Sequence, residues 1–257
     1  MSRSHHKYYR VFLAFVFVMV AAANVSSQAF EDMNLIDSPT AGIIPHGSYL
    51  LEGSIGPKSG LLFGVKVGFH DRLVVGASFG IQEFIGRGDI EVNDKPGFHA
   101  KFRILDESIA GPALAIGIDT QGEESYDEGD GRYERKSRGF FGVVSKNYYY
   151  HRNISFHGGV NYSLENEAEK GIDFFTGMSI EMFTGMTILL DYNAAMNDDN
   201  GNLPSCRTNG KGYLDTGVRF DYRDNLRIRI LFRDLTGNYN RENGVARSIE
   251  IMFIDYF

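Results

Sequence analysis

The stretch Ala246-Arg-Ser-Ile-Glu-Ile-Met-Phe-Ile-Asp-Tyr-Phe257 decides the fold of this chain. Apolar and polar side chains alternate along it, with Ile249, Ile251, Phe253 and Phe257 on one face and Ser248 and Glu250 on the other. Alternation with a period of two residues predicts a β-strand, because successive side chains of an extended chain point to opposite faces. A tail held loosely by the protein is usually polar. We therefore expect a strand that pairs with another strand, either in a closed membrane barrel or at the edge of a soluble sandwich.

The first 29 residues have the pattern of a secretory signal peptide. A basic region, Arg3–Arg10, is followed by the apolar run Val11–Ala23, which is too short to cross a bilayer comfortably. Ser27-Gln28-Ala29 is a small-x-small cleavage site, and Ala21–Ala23 competes with it. We predict that residues 1–29 are removed on export, with a retained helical anchor as the alternative.

Composition narrows the function classes. The net charge of -7 gives no broad basic surface for nucleic acid. After the signal peptide there is no run of eighteen apolar residues, so a bundle of membrane helices is not expected. The single cysteine, Cys206, cannot form an internal disulfide. This composition is compatible with a β-barrel, whose strands present only every second side chain to lipid.

The same alternation recurs along the rest of the chain. It predicts twelve strands, near Tyr49–Ile55, Leu61–Phe69, Leu73–Ile81, Phe98–Ile104, Leu114–Ile118, Gly139–Tyr150, Ile154–Tyr162, Ile172–Met182, Met186–Tyr192, Leu214–Tyr222, Ile228–Phe232 and Ala246–Phe257. Most approach the length that a tilted strand needs to cross a membrane. An even number of such strands is typical of outer-membrane barrels.

Short and long connections alternate between these strands. Tight turns are predicted near Asp71, Glu107, Arg152, Thr184 and Asp224, and longer polar loops at Gly56–Gly60 and near Asp89, Asp130, Glu167, Asp199 and Tyr239. The Greek-key connections of a sandwich would not sort in this way. We predict an all-β, antiparallel transmembrane β-barrel of about twelve strands over residues 47–257, with short periplasmic turns and longer extracellular loops. Residues 30–46 are then a periplasmic lead-in or a plug, and the closing strand pairs with Ser48–Ile55.

The polar faces of the strands are predicted to line the lumen. The charged candidates are Glu52, Lys66, His99, Lys101, Arg103, Asp173, Glu181, Asp191, Asp215, Arg219, Asp221, Arg227, Arg229, Arg233 and Glu250. Bases gather around Lys101 and Arg229 and acids around Glu181 and Asp191, which would set a transverse field in a conducting pore. The alternative is a closed interior in which Asp215, Arg219 and Asp221 pair with Arg227, Arg229 and Arg233 on the neighbouring strand, since buried charges need partners.

Features of a catalytic or metal site are sparse. No nucleophile motif surrounds Ser155, and His99 and His157 are isolated polar residues. Asp127–Gly131 and Asn197–Gly201 lack the full spacing of a calcium loop. We therefore predict no enzyme activity, no cofactor and no bound metal, with a lipid-modifying enzyme as the lesser alternative. Tyr148–Tyr150 are typical of the aromatic girdle at a membrane interface.

Two stretches resemble one known family. Leu35–Ala41, followed by Pro45–Ser48, and Lys101–Glu107, followed by Pro112–Gly117, are similar to YjbH-type outer-membrane proteins associated with exopolysaccharide. The resemblance implies a bacterial outer-membrane location and an envelope role related to exopolysaccharide. Together with the barrel it predicts a passive, porin-like pore or an envelope component, with a closed barrel as the alternative. Expected partners are the lipid bilayer, the barrel-assembly machinery through the strand ending at Phe257, and polysaccharide or small polar solutes.

Overall fold

The computed structural model describes residues 30–57, 60–82, 91–92, 95–127, 129, 131–165, 171–198, 208–239 and 244–257. The predicted signal peptide and Cys206 lie outside these residues. Within them, no helix is long and apolar enough to span a membrane.

Fifteen strands make up the described structure. They are β1 (Ser48–Ile55), β2 (Leu61–His70), β3 (Leu73–Gln82), β4 (Glu91–Val92), β5 (Gly97–Leu105), β6 (Ala113–Asp119), β7 (Glu123–Asp127), β8 (Arg132–Arg135), β9 (Gly139–Tyr150), β10 (Arg152–Tyr162), β11 (Ile172–Phe183), β12 (Met186–Asn193), β13 (Tyr213–Tyr222), β14 (Leu226–Arg233) and β15 (Ala246–Tyr256). All but β4, β7 and β8 form the barrel wall, so the predicted twelve-stranded barrel is confirmed.

The barrel closes through its first and last strands. β1 pairs antiparallel with β15, from Ser48 opposite Tyr256 to Ile55 opposite Ile249, and with β2 on its other side. The remaining wall strands pair in chain order, each antiparallel to its neighbour. The closing strand therefore pairs with Ser48–Ile55, as the sequence predicts.

The connections confirm the predicted alternation, and two of the predicted loops contain further strands. Asp71 and Arg72 join β2 to β3, and Thr184 and Gly185 join β11 to β12, whereas the connection from β6 to β9 is long. The long loop predicted near Asp130 contains the hairpin of β7 and β8, which the sequence pattern does not predict. The rings of Tyr126 and Tyr133 lie 4.9 Å apart across this hairpin, and such aromatic cross-strand pairs stabilise short strands. The loop predicted after β3 likewise contains β4, which pairs with β3.

The outer face of the barrel is apolar. Its exposed side chains include Val65, Phe79, Phe98, Phe102, Ile116, Phe140, Phe156, Phe174, Leu190, Phe220 and Ile230. Aromatic side chains also end the strands on the short-turn side, namely Phe69, Tyr150, Phe183, Tyr222 and Phe257. An apolar band bordered by aromatic residues, with short turns at one end and long loops at the other, is the layout of an outer-membrane β-barrel. The short-turn end is the periplasmic end in this layout.

The buried apolar core lies inside the barrel rather than between two sheets. Its three clusters all join the wall to residues Phe30–His46, which we call the plug segment. Phe30, Met33 and Ile44 pack with the wall residues Leu50 and Ile254, for example. The barrel is therefore filled from its own chain.

Candidate functional site

The plug segment enters the barrel at the periplasmic end and turns back inside it. Asp32 lines the same cavity as Thr184 and Asp224 of the short turns. The segment reverses beyond Asn34, where the Leu35 N–H donates to Ser38 O at 2.9 Å. It then returns to Pro45, whose carbonyl accepts a hydrogen bond from the Ser48 N–H at the start of β1. The 17-residue segment thus forms a hairpin-like plug within the lumen.

The barrel wall is shaped to fit the tip of this plug. Leu35 and Ile36 are buried against Leu189 of β12 and Leu231 of β14. Gly177 of β11 leaves the space that Leu35 occupies, because a Cβ at position 177 would overlap Leu35 Cδ2. The wall positions that contact the Leu35 side chain therefore include two leucines and a glycine.

Asp32 joins the plug to three arginines of the wall, and we call Arg219, Arg227 and Arg229 the arginine cluster. Arg227 Nη1 lies 2.9 Å and Arg229 Nη2 2.6 Å from Asp32 Oδ1, and Arg219 Nη1 pairs with Asp32 Oδ2. Burial alone would raise the pKa of Asp32, but the coulombic effect of the three guanidinium groups outweighs it and holds that pKa well below its usual value. The Asp32 carboxylate is therefore ionised at neutral pH.

Asp37 makes the corresponding contacts nearer the extracellular end. Its Oδ2 lies 2.6 Å from Arg135 Nη1, and its Oδ1 accepts a 2.9 Å hydrogen bond from Arg233 Nε. Burial raises the pKa of Asp37, but Arg233 and Arg135 lower it more, to about 2. Arg135 also pairs with Asp215 at 2.7 Å, and Arg233 with Glu250 at 2.8 Å. The plug thus carries part of a buried ion-pair network.

Side chains of the wall also satisfy the backbone of the plug. Lys101 Nζ donates to the carbonyls of Met33, Thr40 and Gly42 at 2.5, 2.9 and 3.3 Å. Arg103 Nε donates to Ala41 O at 2.9 Å.

On the other side of the lumen, Asp191 Oδ2 accepts the N–H groups of Ile36, Asp37 and Ser38. Buried backbone N–H and C=O groups need hydrogen-bond partners. Side chains of the wall supply these partners to the plug in place of a neighbouring strand.

The predicted pairing between neighbouring strands is correct for one pair and wrong for most of the set. Asp221 Oδ1 accepts a 2.5 Å hydrogen bond from Arg227 Nε, as a cross-strand pair would. Arg219 and Arg229 face each other in the register and both contact Asp32 instead. Asp215 pairs with Arg135 of the β7–β8 hairpin. The prediction fails because it takes counter-charges only from the wall, whereas the plug and the hairpin supply several of them.

The other predicted lumen residues lie at several levels of the barrel. Lys66 pairs with Glu52 at 2.7 Å, and His99 lies 3.2 Å from Asp119. Asp173 is buried, and its Oδ1 accepts the N–H of Met196 at 3.1 Å near the extracellular end.

Glu181 lies at the periplasmic end, where its Oε2 accepts a 3.0 Å hydrogen bond from Asn153. The predicted set is therefore not brought together at a single point.

Two cavities flank the plug. A periplasmic vestibule of about 870 Å³ is lined by the start of the plug, by Arg103, Arg219 and Arg227, and by residues of the short turns. A smaller space of about 110 Å³ lies on the extracellular side, between the plug and the β7–β8 hairpin. The lumen is therefore divided, with its larger part facing the periplasm.

The β7–β8 hairpin covers the extracellular side of the plug. Arg132 pairs with Asp198, and Glu165 accepts the N–H groups of Tyr133 and Ser137 at 3.0 and 2.9 Å. Burial raises the pKa of Glu123, at the start of β7, to about 8 even though nearby arginines oppose the rise. Glu123 is therefore largely neutral at pH 7.

Sequence reasoning missed the residues that hold the plug, above all Asp32, Asp37 and Arg135. One signal was present in the sequence. Leu189 and Leu231 fall at inward positions of otherwise polar strand faces, next to Asp191 and Arg229 on the same faces. Apolar side chains at such positions indicate an interior that is filled rather than open to water.

Among the described residues, no group of three or more His, Cys, Asp or Glu side chains is placed to hold a metal ion.

Comparisons with known proteins do not assign the chain to a family. No protein-family model matches the chain. No curated protein matches it either.

The solved structures that resemble the chain include porins. A KdgM porin is 6% identical over 80% of this chain and 98% of its own, with a TM-score of 0.48. A NanC porin is 10% identical over 81% and 99%, with a TM-score of 0.42. The translocator domain of the autotransporter NalP from Neisseria meningitidis is 9% identical over 82% and 86%, with a TM-score of 0.37. At these sequence identities and TM-scores the matches indicate neither a solute nor a mechanism. The fold assignment comes from the strand pairing of the chain itself.

Proposed function

We propose that the chain is a passive pore of the bacterial outer membrane for small polar solutes, closed by its own plug segment in the conformation described here. The observation that carries this proposal is the polar wall beneath the plug. Lys101, Arg219, Arg227 and Arg229 lie on inward faces, and each of them contacts the plug. A wall of this kind is suited to water once the plug leaves.

The interior of a barrel can be filled by ion pairs or by apolar side chains. Buried ion pairs contribute little to stability compared with apolar packing, because both charges lose their hydration. A barrel that is filled permanently has no need of an arginine-rich wall. When the plug leaves, charged wall residues become hydrated at a low cost in free energy. Exposing an apolar wall to water would cost more. The 870 Å³ vestibule already extends this polar lumen toward the periplasm.

Single-channel recording in planar bilayers tests the proposal. In one variant, residues 30–46 are replaced by 17 Gly and Ser residues, which keeps the chain length but removes the side chains that contact the wall. We expect steady conductance steps from this variant and rare, brief steps from the unchanged protein. A heat-dependent shift on unboiled gels shows that each barrel is folded. Silence from a folded, plug-replaced barrel would reject the pore.

A closed structural or surface-interaction barrel is the second candidate. It is favoured by the apolar fit of Leu35 against Gly177, Leu189 and Leu231. In this case the plug is a permanent core, and its replacement should destabilise the barrel without producing conductance. The same recording therefore separates the two candidates.

The remaining assignments extend this proposal. The strand β15 closes the barrel, and we assign it as the segment that the barrel-assembly machinery recognises. The relation to exopolysaccharide is supported by the YjbH-like stretches between Leu35 and Gly117. We propose no catalytic role: within the described part of the chain, His157 bonds to Ser145 Oγ, which also accepts the Ala41 N–H of the plug, and His99 bonds to Asp119.

A further inference from the structure

We infer that the arginine cluster is a binding site for a solute carboxylate, and that Asp32 of the plug occupies it as an internal competitor. The inference rests on the proposed pore and names the chemical class of its solute. It concerns one side chain of the plug rather than the release of the whole segment.

The geometry is that of a carboxylate held by three guanidinium groups. Arg227 and Arg229 both reach Asp32 Oδ1, at 2.9 and 2.6 Å, while Arg219 pairs with Oδ2. The arginines come from the adjacent strands β13 and β14, so the wall fixes their spacing. Guanidinium groups suit carboxylates because their planar N–H groups match the two oxygens. The wall therefore presents a preformed site, and the ligand now in it belongs to the plug.

The local charge explains why this site needs an anion. Apart from Asp32, the carboxylate in hydrogen-bond contact with the cluster is Asp221, which accepts from Arg219 Nε at 3.0 Å and from Arg227 Nε at 2.5 Å. Arg229 is 1% exposed, and its Nε and Nη1 make no hydrogen bond to the described residues. Glu250 Oε2 lies 3.7 Å from Arg229 Nη1, and Glu250 is also bonded to Arg233. Without Asp32, the buried Arg227 and Arg229 and the partly buried Arg219 would face too little negative charge.

A solute can reach this site from the periplasm. Asp32, Arg219 and Arg227 all line the vestibule, whose volume of about 870 Å³ is within the range of small-molecule pockets. Neutral polar groups, among them those of Asn153 and Ser179, line the same cavity. Acidic side chains such as Glu181 and Asp221, and further arginines such as Arg103, line it as well. The cavity therefore offers cationic groups for a carboxylate beside neutral and acidic groups for the rest of a solute.

Binding of succinate to the purified, full-length protein in detergent tests the inference by calorimetry. Asp32→Asn removes the internal competitor and keeps the shape of the side chain. We expect this variant to bind succinate at least about tenfold more tightly than the unchanged protein, because charge-assisted hydrogen bonds to the three arginines become available. If Asp32→Asn fails the heat-shift test for folding, Asp32→Ser, whose side chain is smaller, tests the same expectation of tighter succinate binding.

Two controls make the test specific. Asp71→Asn removes an exposed carboxylate of the turn between β2 and β3, which is at the periplasmic end but does not line the vestibule, and it should leave succinate binding unchanged. Adding Arg227→Gln to Asp32→Asn should abolish the gain. Inorganic phosphate and chloride serve as separate ligands, and we expect succinate to bind most tightly because the native occupant is a carboxylate. Equal binding of all three anions would reject a carboxylate site.

Failure of this inference is distinguishable from failure of the pore. A folded Asp32→Asn protein that binds succinate no better than the unchanged protein overturns the site, whatever the conductance. A plug-replaced barrel that stays silent overturns the pore, whatever the binding of succinate.

Discussion

Replacement of Leu35 by alanine should loosen the plug more than any single loss at the barrel surface. Leu35 is fully buried at the tip of the plug, in the cluster with Leu189 and Leu231. Buried Leu→Ala changes cost about 2–5 kcal/mol, with the larger values where the wall cannot collapse into the gap. A rigid barrel wall collapses poorly. At about 1.4 kcal/mol per tenfold change, the population with the plug displaced should rise by roughly 30- to 4,000-fold.

The assay is the rate at which a maleimide reagent labels a cysteine at position 41. Ala41 is fully buried in the plug, so labelling reports the displaced state, and Cys206→Ser removes the native thiol. Leu190→Ala is the matched control, because Leu190 neighbours Leu189 on β12 but is exposed on the outer face. An equal labelling rate in the Leu35→Ala and Leu190→Ala proteins would refute the reasoning that apolar packing at the tip holds the plug.

Three further predictions concern the plug and the hairpin. Valine at position 177 should also speed labelling at position 41, since its side chain would take the space of Leu35; an unchanged rate would contradict the fit. The pKa of Asp37 falls from 3.8 to about 2 in the folded protein, so its contribution to stability is fully present above about pH 4 and is lost as the pH falls through 2. The rate of labelling at position 41 should therefore be constant from pH 7 to 5. With an acid-tolerant thiol reagent, this rate should rise below pH 4, and the rise should be smaller in Asp37→Asn. The pKa of Glu123 rises from 4.5 to about 8, so its contribution is present below pH 4.5 and lost as the pH rises through 8. Hydrogen exchange of the β7–β8 hairpin, corrected for the intrinsic pH dependence, should increase between pH 5 and 8 and level off above pH 8, and Glu123→Gln should remove that increase.

The wall of the barrel was predictable because its signal is local. Alternation within each strand and the order of short and long connections are both properties of neighbouring residues, and they fix β9 at Gly139–Tyr150 and the pairing of β1 with β15. The sequence does not reveal the hairpin of β7 and β8 because its strands have only five and four residues and the segment between them, 128–131, is acidic and glycine-rich. It is stabilised by the contact of Tyr126 with the buried Tyr133 and by ion pairs of Arg132 and Arg135 with Asp198 and Asp215.

The plug was named only as one of two possibilities, because its structure depends on distant residues. Leu35 and Asp32 contact side chains more than 150 residues away in the sequence, and no local pattern encodes such contacts. The charged residues of the wall were found by their alternation, but alternation gives the face of a side chain and not its partner. The pattern therefore predicts that Arg229 pairs with an acidic residue of the neighbouring strand, whereas its closest acidic contact is Asp32 of the plug.

Conductance of a barrel with a reversibly locked plug tests the central claim most directly. The Ala41 N–H donates to Ser145 Oγ of β9 at 2.8 Å, which brings the two residues close enough for a disulfide. Cysteines at both positions, in a chain that carries Cys206→Ser, should form this bond on oxidation, and Ala41→Cys alone is the control. We predict that the oxidised double variant is silent in planar bilayers and that a reducing agent restores the intermittent conductance of the control. Failure of the two cysteines to form a disulfide would contradict the position of the plug, and equal conductance before and after reduction of a formed disulfide would contradict its role as the closure of the pore.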